Sequence, residues 1–355
     1  MTATWDDSDF RDRVQQTLDG FVERQAGFLA PLGSDADRLI AQAGTTLRGG
    51  KRLRAAFCRW GFRALSPGTD REEELLRACA SLELLHASAL VHDDYMDASD
   101  TRRGHPATHR ALEAEHRAEG WGGDPGQYGA AGAILLGDLL LAWSDELLRR
   151  SGFGWDVLGP ALEVFDATRT EVITGQFLDV SVQARGRADV DAAMTVLRYK
   201  SAKYSVERPL HLGAALAGAS AEALAELSGF GLPVGEAFQL RDDLLGVFGD
   251  PDVTGKPAGD DLVEGKRTVL VALALDGLPA AGAAVLDGAL GRPLSAEQVD
   301  ELRALIEVSG AREQVEQAIA TLTNTAVAAL ERARIDDHAR AVLLALAEAA
   351  TQRSV

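Results

Sequence analysis

Cysteine is nearly missing from this 355-residue chain, which has only Cys58 and Cys79. One pair cannot frame a disulfide scaffold, and neither thiol has a second Cys or a His at zinc-ligand spacing, so both read as small core residues. Proline is scarce (11) and aromatics make up 6%. Alternating Val, Ile and Thr runs between hairpin turns are lacking, which leaves little from which to build a sheet. No apolar stretch approaches the ~20 residues of a bilayer span; Ile134 to Trp143 is interrupted by Asp138. The first 19 residues carry no basic segment followed by an apolar run, so no secretory signal is expected and the chain reads as cytoplasmic. Positive charge is also short, 36 Lys+Arg against 54 Asp+Glu for a net −18. That balance excludes nucleic acid or an anionic membrane as the main partner, and any anionic ligand has to be met by local cations.

What is present is helical. Apolar residues make up 46% of the chain and recur at three- and four-residue spacing, as in Leu75, Cys79, Leu82, Leu85 and Ala89. The expected class is all-α. Breaks are expected at Gly49-Gly50, Ser66 to Gly68, Gly120 to Gly129, Gly152 to Gly154, Arg185 to Ala188, Gly249 to Gly259 and Gly291 to Leu294. None reads as an interdomain linker, so residues 1–355 are taken as one domain. The stretch Trp121 to Gly126 reads as a surface insert with a mobile loop.

Asp-Asp pairs occur five times in this acidic chain, and only context separates them. Asp93-Asp94-Tyr95-Met96-Asp97 follows the apolar run Leu82 to Val91, and Asp93 and Asp97 share a helix face about 6 Å apart along the axis. Three carboxylates at the end of a buried helix repel one another unless a cation neutralises them. A hard divalent ion with oxygen ligands fits, and Mg²⁺ commonly brings waters and a substrate phosphate into its shell. A second such site, Gln239-Leu240-Arg241-Asp242-Asp243, follows the apolar run Leu232 to Phe238. The two acidic faces are expected to meet across one cavity.

Lysine is the rarest charged residue, limited to Lys51, Lys200, Lys203, Lys256 and Lys266. Lys51 lies in Gly49-Gly50-Lys51-Arg52-Leu53-Arg54, where glycines let backbone approach an anion and Lys51 and Arg54 share a face. Lys256 and Lys266 flank Gly259-Asp260-Asp261, just after the second acidic motif. Carboxylate clusters with dispersed cations at glycine turns describe a site for diphosphate held through Mg²⁺, with the basic groups covering oxygens the metal does not reach.

In these motifs the chain resembles the trans-isoprenyl diphosphate synthases, the polyprenyl synthetases. The resemblance runs from about Leu39 to Thr268 through Gly49 to Arg54, Leu84-Leu85-His86, Asp93 to Asp97, Arg102-Arg103-Gly104, Gly175 to Asp179, Lys200-Ser201, Gln239 to Asp243, Gly255-Lys256 and Gly265-Lys266. It implies a helical bundle around a deep cavity, a homodimer, and three Mg²⁺ ions. It further implies that Asp93, Asp94 and Asp97 form the first metal set, and that Asp242, with Asp243 beside it, forms the second. Lys51, Arg54, His86 and Arg103 would hold isopentenyl diphosphate. Arg102, Lys200, Ser201, Gln239, Lys256 and Lys266 would serve the allylic diphosphate, with Gln176 as polar support. The implied reaction is ionisation of an allylic diphosphate and attack on the cation by isopentenyl diphosphate, with Asp93, Asp94, Asp97, Lys200, Asp242 and Lys256 carrying catalysis.

Three departures stand out. The fifth position of the second acidic motif is Gly246, so one metal contact is absent or supplied elsewhere, with Asp250 a candidate. Ser201 stands where the family commonly has Thr, and the first motif lacks a two-residue insertion. Ser88 and Ala89 are small where bulky aromatics accompany short products, with Leu85 a turn deeper. These three residues are therefore the expected chain-length positions and geranylgeranyl diphosphate the expected product; farnesyl or longer (C25+) products are the alternatives. A class I terpene cyclase would have no use for the second basic site, and a non-catalytic subunit would not be expected to keep both acidic motifs. Trp143 and Trp155 are expected in the core, and His105 and His109 on a solvated helix face. His92 is expected to hydrogen bond rather than ligate, and Gly137-Asp138 reads as either a buried, paired Asp or a helix break.

Overall fold

A computed structural model describes residues 8–68, 70–186, 189–249 and 259–352. Among these residues the chain is almost entirely helical. The apolar spacing seen in the sequence winds as α1 (Ser8–Leu29), α2 (Ser34–Thr46), α3 (Leu53–Leu65), α4 (Glu72–Met96) and α5 (Thr108–Ala118). Then come α6 (Pro125–Arg149), α7 (Trp155–Arg185), α8 (Val190–Val196), a π-helical run Leu197–Glu207, α9 (Arg208–Leu216) and α10 (Ala221–Phe248). The C-terminal third adds α11 (Asp260–Glu264), α12 (Val269–Gly277), α13 (Ala280–Ala289), α14 (Ala296–Val308), α15 (Ala311–Arg332) and α16 (Asp337–Thr351). The strands described form one antiparallel pair of two residues each, Thr101–Arg102 and His105–Pro106.

Helix α4 is apolar on every side from Leu75 to Val91, and such a helix has to be central; fourteen of its residues are buried. It packs against α6 and α3 in a large apolar cluster that includes Phe57, Leu82, Leu136 and Phe165. A second cluster gathers Leu240, Leu244, Leu270 and Ile306 around the C-terminal helices. Helix α10 belongs to both, with Phe230 and Val234 in the first and Ala237 to Val247 in the second. The first acidic motif therefore ends a central helix and the second lies in the last two turns of another, where packing fixes their direction.

Several expectations change here. Helix α6 begins at Pro125, capped by the Asp124 side chain, so residues 125–129 are helical rather than loop. Trp121 is pinned between the His116 and Tyr128 rings and lies under the Arg38 guanidinium at 4.9 Å, which replaces a mobile insert with a packed one. Trp143 is core, but Trp155 opens α7 at 70% exposure, while Leu158 three residues on is the one that is buried. His109 is buried on α5 against Tyr95, not solvated. Helix α6 runs unbroken through Gly137-Asp138; Gly137 is buried, but the Asp138 carboxylate is largely exposed and lies 3.6 Å from His92 Nε2, which also meets the Ile134 carbonyl at 3.2 Å.

Candidate active site

The end of α4 brings the first motif to the wall of a cavity of about 820 Å³. Asp93 faces it, and its Oδ1 accepts from Gln176 Nε2 at 3.0 Å and Lys200 Nζ at 3.2 Å. Lys200 also donates to Asp179 Oδ2 at 2.6 Å. Burial raises the Asp93 carboxyl, but Lys200, Lys266 and Arg102 outweigh it and hold it below its ordinary range. Burial likewise opposes charge on Lys200, and Asp93 and Asp179 override it. Asp94 is buried and outside the cavity wall, accepting from Arg102 Nε at 2.8 Å. Asp97 caps α4; burial and the neighbouring Asp93 lift it to about 6. Its Oδ2 accepts no hydrogen bond and meets Lys266 Nζ at 3.6 Å.

Beyond α4 the short strand pair turns on Arg103-Gly104, both at positive φ (53° and 77°), as a two-residue hairpin loop of mirror-image type requires. The hairpin returns Arg102 to Asp94 and lays the Arg103 guanidinium against Gly50, where a Cβ would sit 3.0 Å from its Nη2. The Gly49–Arg54 turn is anchored by Arg52, itself left-handed (φ 54°) and buried, which donates to Glu83 at 2.9 Å and to the Leu47 carbonyl. That anchor presents Lys51 and Arg54 to the same cavity. Arg54 donates to Ser205 Oγ at 2.7 Å and lies 4.3 Å over the Tyr204 ring. The Tyr204 hydroxyl meets His86 Nδ1 at 2.8 Å. Burial, reinforced by Arg54, Arg103 and Arg102, pushes His86 well below its ordinary value, so the imidazole is neutral; burial lifts the Tyr204 phenol to about 12.

The second motif reaches the cavity from α10. Asp242 and Asp243 both line it, and Asp243 accepts from Gln239 Nε2 at 2.8 Å. Burial and the facing Asp261 carboxylate lift Asp243 to about 8. Asp261, from α11, sits against Gly246 and accepts from Lys266 Nζ at 3.3 Å; Lys266 also pairs with Glu264 at 2.5 Å. Against burial, these carboxylates raise the Lys266 ammonium above its ordinary value.

The cavity thus joins Lys51, Arg54, His86, Arg103, Arg102, Lys200, Ser201, Gln239 and Lys266 to Asp93 of the first motif and to Asp242 and Asp243 of the second; Asp97, like Asp94, does not line it. Lys256 and Asp250 lie outside the described residues. Leu85 and Ser88 are buried within α4's packing and Ala89 partly so, and none of the three lines the cavity. Its apolar wall comes instead from Leu90, Val196, Leu197 and Phe238. Sequence reading missed Tyr204 and Ser205, which follow Lys200-Ser201 by four residues, and gave no role to Asp179, Asp261, Glu83 or Glu264. Among the described residues no three Asp, Glu, His or Cys side chains converge as a closed metal cage. The donors on the wall are carboxylates, hard oxygen ligands that suit an ion completing its shell with water and phosphate oxygens.

A cavity that sets two carboxylate-bearing helix ends beside a separate basic pocket defines an all-helical enzyme for phosphorylated substrates. Residues 37–308 match the family model of polyprenyl synthetase, and the chain belongs to that family, the prenyltransferases that build isoprenoid chains. It is 33% identical over 271 residues to a geranylfarnesyl diphosphate synthase of Aeropyrum pernix, covering 76% of this chain and 79% of that one. It is 33% identical over 299 residues to a geranylgeranyl diphosphate synthase of Mycobacterium tuberculosis, covering 81% and 78%. Its fold superposes with a TM-score of 0.94 on a geranylgeranyl pyrophosphate synthase from Corynebacterium glutamicum solved with isoprenyl diphosphate and magnesium. The two are 43% identical, over 97% of this chain and 99% of that one. Among the described residues no helix is long and apolar enough to cross a membrane.

Proposed function

We propose that the protein condenses isopentenyl diphosphate with an allylic diphosphate to a linear all-trans prenyl diphosphate, and that geranylgeranyl diphosphate is its product. The observation that carries this reading is one cavity lined by Asp93 of the first acidic motif, by Asp242 and Asp243 of the second, and by a basic cluster around His86. Asp93, Asp97, Asp242 and Asp243 would hold Mg²⁺, three ions in all, with Asp94 acting through Arg102. When bound, the metal supplies positive charge to the departing diphosphate. Lys200 and Lys266 stay protonated at neutral pH, since their neighbours raise them, and with Arg102, Ser201, Gln239 and Lys256 they cover the allylic diphosphate. Preorganised cations of this kind stabilise charge as it develops, with little reorganisation.

Lys51, Arg54, Arg103 and His86 take the second diphosphate. His86 Nδ1 and the Tyr204 hydroxyl share one hydrogen bond, and in the tautomer where Tyr204 donates, the Nε2 proton of His86 is a further donor. Leu90, Val196, Leu197 and Phe238 keep water from the allylic cation. The C20 product is supported by the likeness to synthases named for geranylgeranyl diphosphate. We take residues 1–355 as one domain, because α10 contributes to both apolar clusters. A homodimer is supported by exposed Ile173, Phe177 and Val180, spaced i, i+4, i+7 along α7, beside exposed Ile134 and Leu135 on α6. Incubating the purified chain with Mg²⁺, labelled isopentenyl diphosphate and each allylic primer, then resolving the products by length, tests the assignment. A C20 product is expected, and no labelled product from any primer would overturn it.

A further inference from the structure

Lys200 and Ser201 reach the cavity from Leu197–Glu207, eleven consecutive residues wound as a π-helix. The π winding is rare and mostly confined to single turns inside α-helices, so a run of this length needs support from outside itself. Two neighbouring helices press on its backbone. A Cβ on Gly175 of α7 would lie 2.4 Å from the Lys200 amide nitrogen, and one on Gly235 of α10 would lie 2.4 Å from the Ala202 carbonyl oxygen. Neither approach leaves room for the run to shift sideways.

A group of charged side chains on and beside the run, none of which lines the cavity, completes the support. Glu171 of α7 accepts from Lys203 Nζ at 3.1 Å and from Arg208 Nε and Nη2 at 2.7 and 2.6 Å. Lys203 also pairs with Glu207 at 3.3 Å. Lys203 and Arg208 are five residues apart, one step of the i→i+5 ladder, and so share a face in this winding. In an α-helix, at about 100° per residue, they would point some 140° apart and one carboxylate could not hold both.

We propose that Glu171 is a positioning residue: by bridging Lys203 and Arg208 it holds the π winding that aims Lys200 and Ser201 into the cavity. Each residue of register lost would turn the preceding side chains by about 100° relative to those that follow. Lys200 would then leave Asp93 and Asp179. The inference rests on the reading of Lys200 as an allylic diphosphate contact.

The test varies the two substrates separately for Lys200→Ala, Glu171→Gln and Glu171→Asp, and follows hydrogen exchange of the amides from Lys200 to Tyr204. Glu171→Gln is expected to lower kcat/KM for the allylic substrate ~10-fold or more while KM for isopentenyl diphosphate stays within about twofold, with partial rescue by Glu171→Asp. Amide exchange in the run should speed up in Glu171→Gln and not elsewhere. If Lys200→Ala impairs allylic use and Glu171→Gln does not, or Glu171→Gln weakens both substrates equally, the positioning role is wrong. If Lys200→Ala leaves allylic use intact, the assignment of that lysine fails instead. Unchanged exchange in Glu171→Gln overturns the clamp whatever Lys200 binds. Should Glu171→Gln fail to fold, Lys203→Met removes one arm of the bridge and is read by the same kinetics and exchange.

Discussion

The Asp261 carboxylate fills the space that a side chain at residue 246 would need: a Cβ on Gly246 would lie 1.9 Å from its Oδ2. The glycine at the fifth position of the second motif therefore makes room for a carboxylate from another helix, one that also faces Asp243 and Lys266. Gly246→Asp restores the family pattern on paper but collides with Asp261, and forcing atoms into filled space costs about 1–3 kcal/mol. Steady-state kinetics should show kcat/KM reduced ~10-fold or more in Gly246→Asp and in Asp261→Asn. A Gly246→Asp enzyme as active as the parent would mean that Asp261 is dispensable.

If Asp93 and Asp242 hold the metal as proposed, Asp93→Ala and Asp242→Ala should each lower turnover by on the order of 10³-fold or more, because each removes a ligand. Circular dichroism should show both variants still helical. Near-normal turnover in either would remove that motif from the metal site.

The helix class and junctions such as Gly49-Gly50, Gly152 to Gly154 and Arg185-Gly186 could be read from the sequence because they rest on local features, apolar spacing within α4 and α10 and glycine turns, whereas junctions such as Ala217 to Ser220 and Ala333 to Asp336 were not expected. The packed Trp121 loop, the exposed Trp155 and the buried His109 could not, since each depends on which neighbouring helix covers the residue. The π winding leaves no mark in a pattern read at 3.6 residues per turn, so Tyr204 and Ser205 went unnoticed although they sit four residues beyond Lys200-Ser201. Asp261 was visible as an acid beside glycine and lysine, but only the fold brings it to Gly246, fifteen positions earlier in the chain.

Stability should fall on mild acidification through buried histidines. Burial, with Arg208 beside it, holds His211 down at about 4, and His86 is also well below its ordinary 6.5. Between about pH 6.5 and 4 the unfolded chain binds a proton that the folded His211 refuses, a loss of up to about 1.4 kcal/mol per pH unit, and His86 acts in the same direction. Above pH 6.5 both states hold them neutral and this contribution is flat. Thermal unfolding across that range should show a shallower acid limb for His211→Gln than for the parent; identical limbs would mean that His211 protonates in place.

Ser88→Phe places a ring in packed space on α4, two residues from the cavity-lining Leu90. If the growing chain runs back along α4, products should shift towards C15 with the first condensation retained, at a cost of ~1–3 kcal/mol for the extra unit. Product chromatography of the folded variant reads this directly, and an unchanged distribution would put the chain along the Val196, Leu197 and Phe238 wall instead.

The most direct test of two diphosphate sites in one cavity is diphosphate release from geranyl or farnesyl diphosphate with Mg²⁺, measured with and without isopentenyl diphosphate. The account predicts release that depends on isopentenyl diphosphate and matches chain elongation one for one. Release from the allylic substrate alone, with hydrocarbon products, would contradict it.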